Sequence, residues 1–283
     1  MLKLANTSLE VEILDPVRDL NRCGSRYCVG GYIYQVLDKN LGPLLSGPQY
    51  PRANPDVFHG QGAPEQFVRV LGEDADIGDE VAVIGVGRVR RTGEARPMFA
   101  RYNPEVLSFL PWTVEQTDTK IVFRSEDEFR GFAYELTRTV RLDGRAVLSE
   151  THISNRGLLP IPVEWYAHPF FPACLDRICC KPSAPVVLKE NPGYFLNSDG
   201  FIQQKVEGDW AVGYYLELSY AKSSAPLSVV QRHPKLGQLI TKTDFPPARL
   251  PIWSNDCTFS FEPYFIEELL PRHAAAFAVT YEF

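Results

Sequence analysis

Long hydrophobic runs are missing from this chain: no window reaches the length of a helical bilayer span, and Met1-Leu2-Lys3-Leu4-Ala5-Asn6 turns polar before an apolar leader develops. Neither insertion nor secretion is signalled. Cysteine is scarce, six in 283 residues without paired CxxC spacing, which excludes a disulfide scaffold and points to reduced thiols in a cytoplasmic protein. Cys174, Cys179 and Cys180 are close in sequence, but no histidine at zinc-site spacing follows them, so they read as small buried hydrophobes and no metal is expected. Basic excess is absent as well. The formal charge is −6 and Lys and Arg are scattered, leaving no electrostatic footprint for nucleic acid. Helical periodicity, fixed-period repeats and a Gly/Ser linker are all lacking. A single domain over residues 1–283 is therefore expected.

What is present is β-rich. Short runs of Val, Ile, Tyr, Phe and Thr alternate with Gly, Pro, Asn and Asp clusters, the pattern of an all-β chain of antiparallel strands. Strands are expected over 9–14, 32–37, 81–89, 112–124, 134–142, 146–155, 161–168, 210–220, 227–231, 257–263 and 275–283. Asp143-Gly144 between two of these is a hairpin signal. Asn155-Arg156-Gly157 marks a second turn, followed by Pro160 and Pro162, which suit a strand start or an edge. The segment 42–62 is rich in Pro and Gly without periodicity; a loop of that length in a compact protein is usually functional.

Glu164-Trp165-Tyr166-Ala167-His168-Pro169-Phe170-Phe171 sets one histidine among aromatic rings at the end of an apolar strand. Such a ring either fills a structural niche or moves protons near neutrality. His152, His233 and His273 read as surface residues.

Three segments in order resemble the aldose 1-epimerase (galactose mutarotase-like) family: His59-Gly60-Gln61-Gly62; Ser154-Asn155-Arg156-Gly157 leading to Ala167-His168-Pro169-Phe170-Phe171; and Phe261-Glu262-Pro263 with Leu270-Pro271. The chain departs from the family pattern in its Gly-Gln-Gly after His59 and in Arg272-His273 after Leu-x-Pro. The resemblance implies a large antiparallel β-supersandwich that interconverts the anomers of an aldose or sugar phosphate by acid/base ring opening, with a small-molecule carbohydrate as partner and no cofactor. A non-catalytic carbohydrate-binding or regulatory protein on the same fold is the alternative.

Under the resemblance, Glu262 is the base and His168 the acid, placed on opposite flanks of the sugar ring; aromatic surroundings raise the carboxyl pKa. Without it, Glu262 reads equally as an exposed acid at a strand end. His59, on a Gly-flanked loop, suits either a sugar hydroxyl or a turn cap. Phe170 and Trp165 are candidate aromatic platforms for a sugar face, although the odd offset between Trp165 and His168 sends them to opposite strand faces unless a bulge intervenes. Arg26 and Arg69 are candidate clamps for hydroxyl or phosphate, or else surface ion pairs.

Overall fold

The computed structural model describes all residues except 51, 53, 54, 56, 94–98 and 221–224, so part of the 42–62 loop lies outside the described residues. Its spine is an antiparallel ten-stranded sheet that runs, edge to edge, Thr113–Gln116, Lys120–Phe129, Phe132–Asp143, Ala146–Asn155, Ala274–Glu282, Gly237–Thr243, Ser228–His233, Ile178–Pro182, Ile202–Gln204 and Tyr194–Leu196. Smaller antiparallel sheets pack on it. One joins Tyr264–Leu269, Ile161–Ala167 and Glu65–Phe67; another joins Phe171–Pro172, Thr258–Phe261, Pro251–Ser254 and Tyr214–Glu217. The architecture is an all-β supersandwich.

The Asp143-Gly144 signal corresponds to a hairpin in which Asp143 pairs with Ala146 and Gly144 takes φ +56°, a turn conformation that costs glycine little. Asn155 closes the second turn: its Oδ1 accepts from Gly157 N at 2.9 Å, and its Nδ2 donates to the carbonyls of Leu159 and Leu269 at 2.9 and 2.8 Å.

Three expected strands divide. Residues 81–89 form a hairpin of Glu80–Val83 and Gly87–Arg90, because the apolar run continues through a turn at Gly85 and hides it. Residues 112–124 split at Thr117-Asp118-Thr119, and in 210–220 pairing begins only at Tyr214, after Gly213 at φ +83°. His233 is a correction too. It is buried at the end of Ser228–His233, its Nε2 lies 2.9 Å from the Leu44 carbonyl oxygen, and burial lowers its pKa. The following proline starts a hairpin turn and so makes the segment look like exposed loop.

The core between the layers is aromatic. Trp165 meets Phe277 of the large sheet with centroids 4.7 Å apart, Phe265 stacks on Phe277 at 4.2 Å, and Phe171 meets Tyr281 edge-on at 6.3 Å. Arg138, from the large sheet, is fully buried there and pairs with Glu65, whose Oε1 accepts from Ser149 Oγ at 2.5 Å. An ion pair so enclosed holds the Glu65–Phe67 strand from behind, and removing either partner strands a charge. All six cysteines are free thiols.

Candidate functional site

Alternation along Ile161–Ala167 and its extension sends Tyr166, His168 and Phe170 to one side and Trp165 to the other. The three on the first side line a cavity of about 740 Å³. Trp165 is fully buried in the core, so it offers no platform to a ligand. The same rule acts on Thr258–Phe261: Phe261 stacks on Phe171 inside the core at 6.1 Å, while Ser260 and the following Glu262 face the cavity side.

His168 and Glu262 meet at the cavity floor. His168 Nε2 lies 3.5 Å from Glu262 Oε1, and both side chains are nearly closed to solvent at 5% and 6% exposure. This spacing leaves no room for a pyranose between them, so both groups lie on one side of the cavity and not on the opposite flanks expected from sequence. On its far edge, His168 Nδ1 sits 2.8 Å from Ser260 Oγ. A hydroxyl can donate or accept, so Ser260 serves either imidazole tautomer. The His168 ring stacks on Phe170 with centroids 4.3 Å apart. Burial, reinforced by the positive charges of Arg26 and Arg101, holds the His168 pKa well below its ordinary value. Burial pushes the Glu262 carboxyl up to about 7 against the opposing pull of Arg26, Arg101 and Arg249. The resting pair therefore favours its uncharged form, proton on the carboxyl and imidazole neutral, and near pH 7 the carboxyl can take or release a proton.

The walls are aromatic and hydrogen-bonding. Tyr166 stacks on Tyr264 at 4.6 Å and 10°, and Trp253 meets Phe170 edge-on at 6.4 Å; all four rings line the cavity. Gln66 Oε1 accepts from Tyr166 Oη at 2.8 Å and from Arg26 Nε at 3.4 Å. Arg26 also donates to the Phe58 carbonyl at 3.3 Å and lies over the Tyr27 ring at 4.7 Å. Arg249 donates to Glu217 Oε2 at 2.7 Å and covers Tyr264 at 4.6 Å.

His59 is exposed on the cavity rim. Its loop is fixed from below: Phe170 N donates to the Gly62 carbonyl and Ser46 N to the Phe170 carbonyl, each at 2.8 Å. Gly60 (φ +103°) lies where any Cβ would enter the Phe170 ring, and at Gly62 (φ +81°) a Cβ would strike the Ile33 and Tyr34 carbonyls. Arg69 is the second sequence candidate outside the cavity; it forms an ion pair with Glu73 beside a separate depression, on the other side of Glu164. Thus His168, Glu262, His59, Arg26 and Phe170 share one cavity, while Trp165 and Arg69 do not.

Sequence reasoning missed Tyr166, Ser260, Gln66, Trp253, Arg101 and Arg249. The first two were within reach, each two positions from a named residue on the same strand face. Among the described residues no group of His, Cys, Asp and Glu side chains has the arrangement of a metal site.

Fold and site together define a galactose mutarotase-like β-supersandwich with a buried histidine–carboxyl pair in its cavity. No family model matches the chain, and no curated protein matches it either. Among solved structures it is similar to the galactose mutarotase related enzyme from Lactobacillus acidophilus, at 15% identity and TM-score 0.62 over 100% of this chain and 97% of that one. A galactose mutarotase-like protein from Clostridium acetobutylicum matches at 14% identity and TM-score 0.56, over 99% of this chain and 93% of that chain. An aldose epimerase homologue from C. elegans matches at 11% and 0.53, over 99% and 97%. At such identities the likeness establishes the fold.

Proposed function

We propose that the protein is an aldose 1-epimerase-type isomerase that opens and recloses the ring of a sugar hemiacetal. The observation that carries this reading is the His168–Glu262 contact of 3.5 Å at the floor of the cavity. In a hemiacetal the hydroxyl oxygen and the ring oxygen are bonded to the same carbon, so two groups side by side can each address one of them. Ring opening removes the proton from the C1 hydroxyl and delivers one to the ring oxygen, breaking the bond from C1 to that oxygen and leaving an aldehyde. His168 Nε2 takes the first proton while the Glu262 carboxyl gives up the second; rotation about C1–C2 and the reverse transfers yield the other anomer. The pair ends each turnover as it began. The resting proton distribution thus exchanges the acid and base roles expected from sequence, and microscopic reversibility makes each residue serve as both. Phe170, Trp253 and the stacked tyrosines supply apolar surface for a sugar face, and Gln66 and Arg26 supply polar partners.

The test is two-dimensional exchange NMR between the anomers of aldoses and aldose phosphates. Accelerated exchange that His168→Asn and Glu262→Gln each abolish supports the reading. Exchange rates that neither substitution changes refute the assignment of the pair. One observation favours a second reading, a carbohydrate-binding protein without turnover: the two groups face each other, each nearly closed to solvent. Saturable sugar binding with no acceleration of exchange is its outcome.

A further inference from the structure

We propose that the sugar bound in this cavity carries an anionic substituent, a phosphate or a carboxylate, held jointly by Arg26 and Arg101. The inference rests on the isomerase reading and narrows its substrate from any aldose to an acidic one. Three guanidiniums line the cavity, Arg26, Arg101 and Arg249, against the carboxyls of Glu164 and Glu262. Arg249 is answered within the fold, by Glu217 at 2.7 Å and Glu164 at 3.6 Å. The other two are not. Arg26 reaches neutral partners, the Phe58 carbonyl, Gln66 Oε1 and the Tyr166 hydroxyl, and Arg101 donates to Tyr102 Oη at 2.8 Å and lies over the same ring. Among the described residues, neither lies within ion-pair distance of a carboxylate. Enclosed guanidiniums elsewhere in the described fold go both ways: Arg138 is paired with Glu65 and Arg88 with Asp127 at 2.6 Å, while buried Arg91 donates to the Ala75 and Gly93 carbonyls.

Among the described residues, Glu262 is the one cavity carboxyl left for these two positive charges, and near neutrality it is partly protonated. A neutral hexose can accept hydrogen bonds from a guanidinium but leaves its positive charge unanswered. An anion gains two planar donor forks that match phosphate or carboxylate oxygens, in a recess that focuses the field. Arg101 sits on the short Ala100–Tyr102 turn at the exposed edge of the cavity, where a charged substituent keeps part of its hydration.

The experiment is calorimetric titration of the full chain with glucose, glucose 6-phosphate and glucuronate, and with their galacto counterparts, alongside anomer exchange for each. At least one anionic sugar is expected to bind more than about tenfold tighter than its neutral parent, the order of one charge-assisted contact. The phosphate and uronate arms identify which anion. Raising salt from about 0.05 M to about 0.5 M should shrink that preference, and Arg101→Gln, an exposed substitution that does not threaten folding, should remove most of it. Equal affinity for neutral and anionic sugars, a preference that survives both Arg101→Gln and Arg26→Gln, or no binding of any of the six overturns the proposal. Anion preference without accelerated exchange overturns the isomerase reading alone. Neutral and anionic sugars exchanged with equal efficiency overturn the anion proposal alone.

Discussion

Replacing Glu262 with glutamine should make the protein more stable and inactive together, with a stability gain that depends on pH. Burial lifts the carboxyl from an ordinary 4.5 to about 7. Between these values the folded chain keeps a proton that the unfolded chain has released, so wild-type stability from this group is fully present below pH 4.5 and falls as pH rises through 7. One pH unit of displacement corresponds to about 1.4 kcal/mol, so the full loss is about 3 kcal/mol. The amide has nearly the same shape and does not ionise. Urea denaturation of both proteins from pH 5 to 8 should show Glu262→Gln gaining on wild type as pH rises, towards about 3 kcal/mol at pH 8. His168, neutral in the fold where the unfolded chain would charge it, lowers stability below its ordinary pKa in both proteins and cancels in the comparison. Anomer exchange should drop at least about a hundredfold, as expected for loss of a general acid or base. A stability difference that stays flat or shrinks with rising pH would refute the buried, proton-retaining carboxyl.

Ser260→Ala removes the partner of His168 Nδ1; exchange should slow by roughly tenfold with a displaced pH optimum, and chemical denaturation should show a loss of about 1 kcal/mol. Trp253→Ala strips one cavity wall, so KM should rise more than kcat falls in NMR-based kinetics. Gly60→Ala forces the Phe170 ring to move and strains a left-handed backbone; melting should report a cost of about 1–3 kcal/mol, and exchange should fall with it. Trp165→Ala should cost about 3–5 kcal/mol by opening the core, whereas KM of the folded fraction stays unchanged because the ring never touches the cavity.

The β character and the Asp143-Gly144 hairpin were legible because period-two patterning and turn chemistry are local. Alternation also separates Phe170 from Trp165 in the sequence itself, since Trp165 lies at an odd offset from His168 and Phe170 at an even one. The division of residues 81–89 was hidden because an unbroken apolar run carries no sign of a reversal buried on both sides. Arg101 comes from a short turn and Arg249 from an isolated bridge to Tyr264, and their positions over the cavity depend on how separate sheets pack, which no short window records. The same holds for the 3.5 Å spacing of His168 and Glu262: a motif can nominate two residues 94 positions apart without fixing whether a ring fits between them.

The strand Ala274–Glu282 lies in the interior of the ten-stranded sheet, joined to Ala146–Asn155 on one side and Gly237–Thr243 on the other. During synthesis the ribosome delivers Ala146–Asn155 long before the strand that joins the two, and Gly237–Thr243 shortly before it, so each presents an open ladder until that strand arrives. Such unpaired edges invite mispairing and chaperone capture. Closure of the spine is therefore a late event in the life of each molecule, and losing even a few residues from 274–282 would leave two half-sheets with nothing to join them.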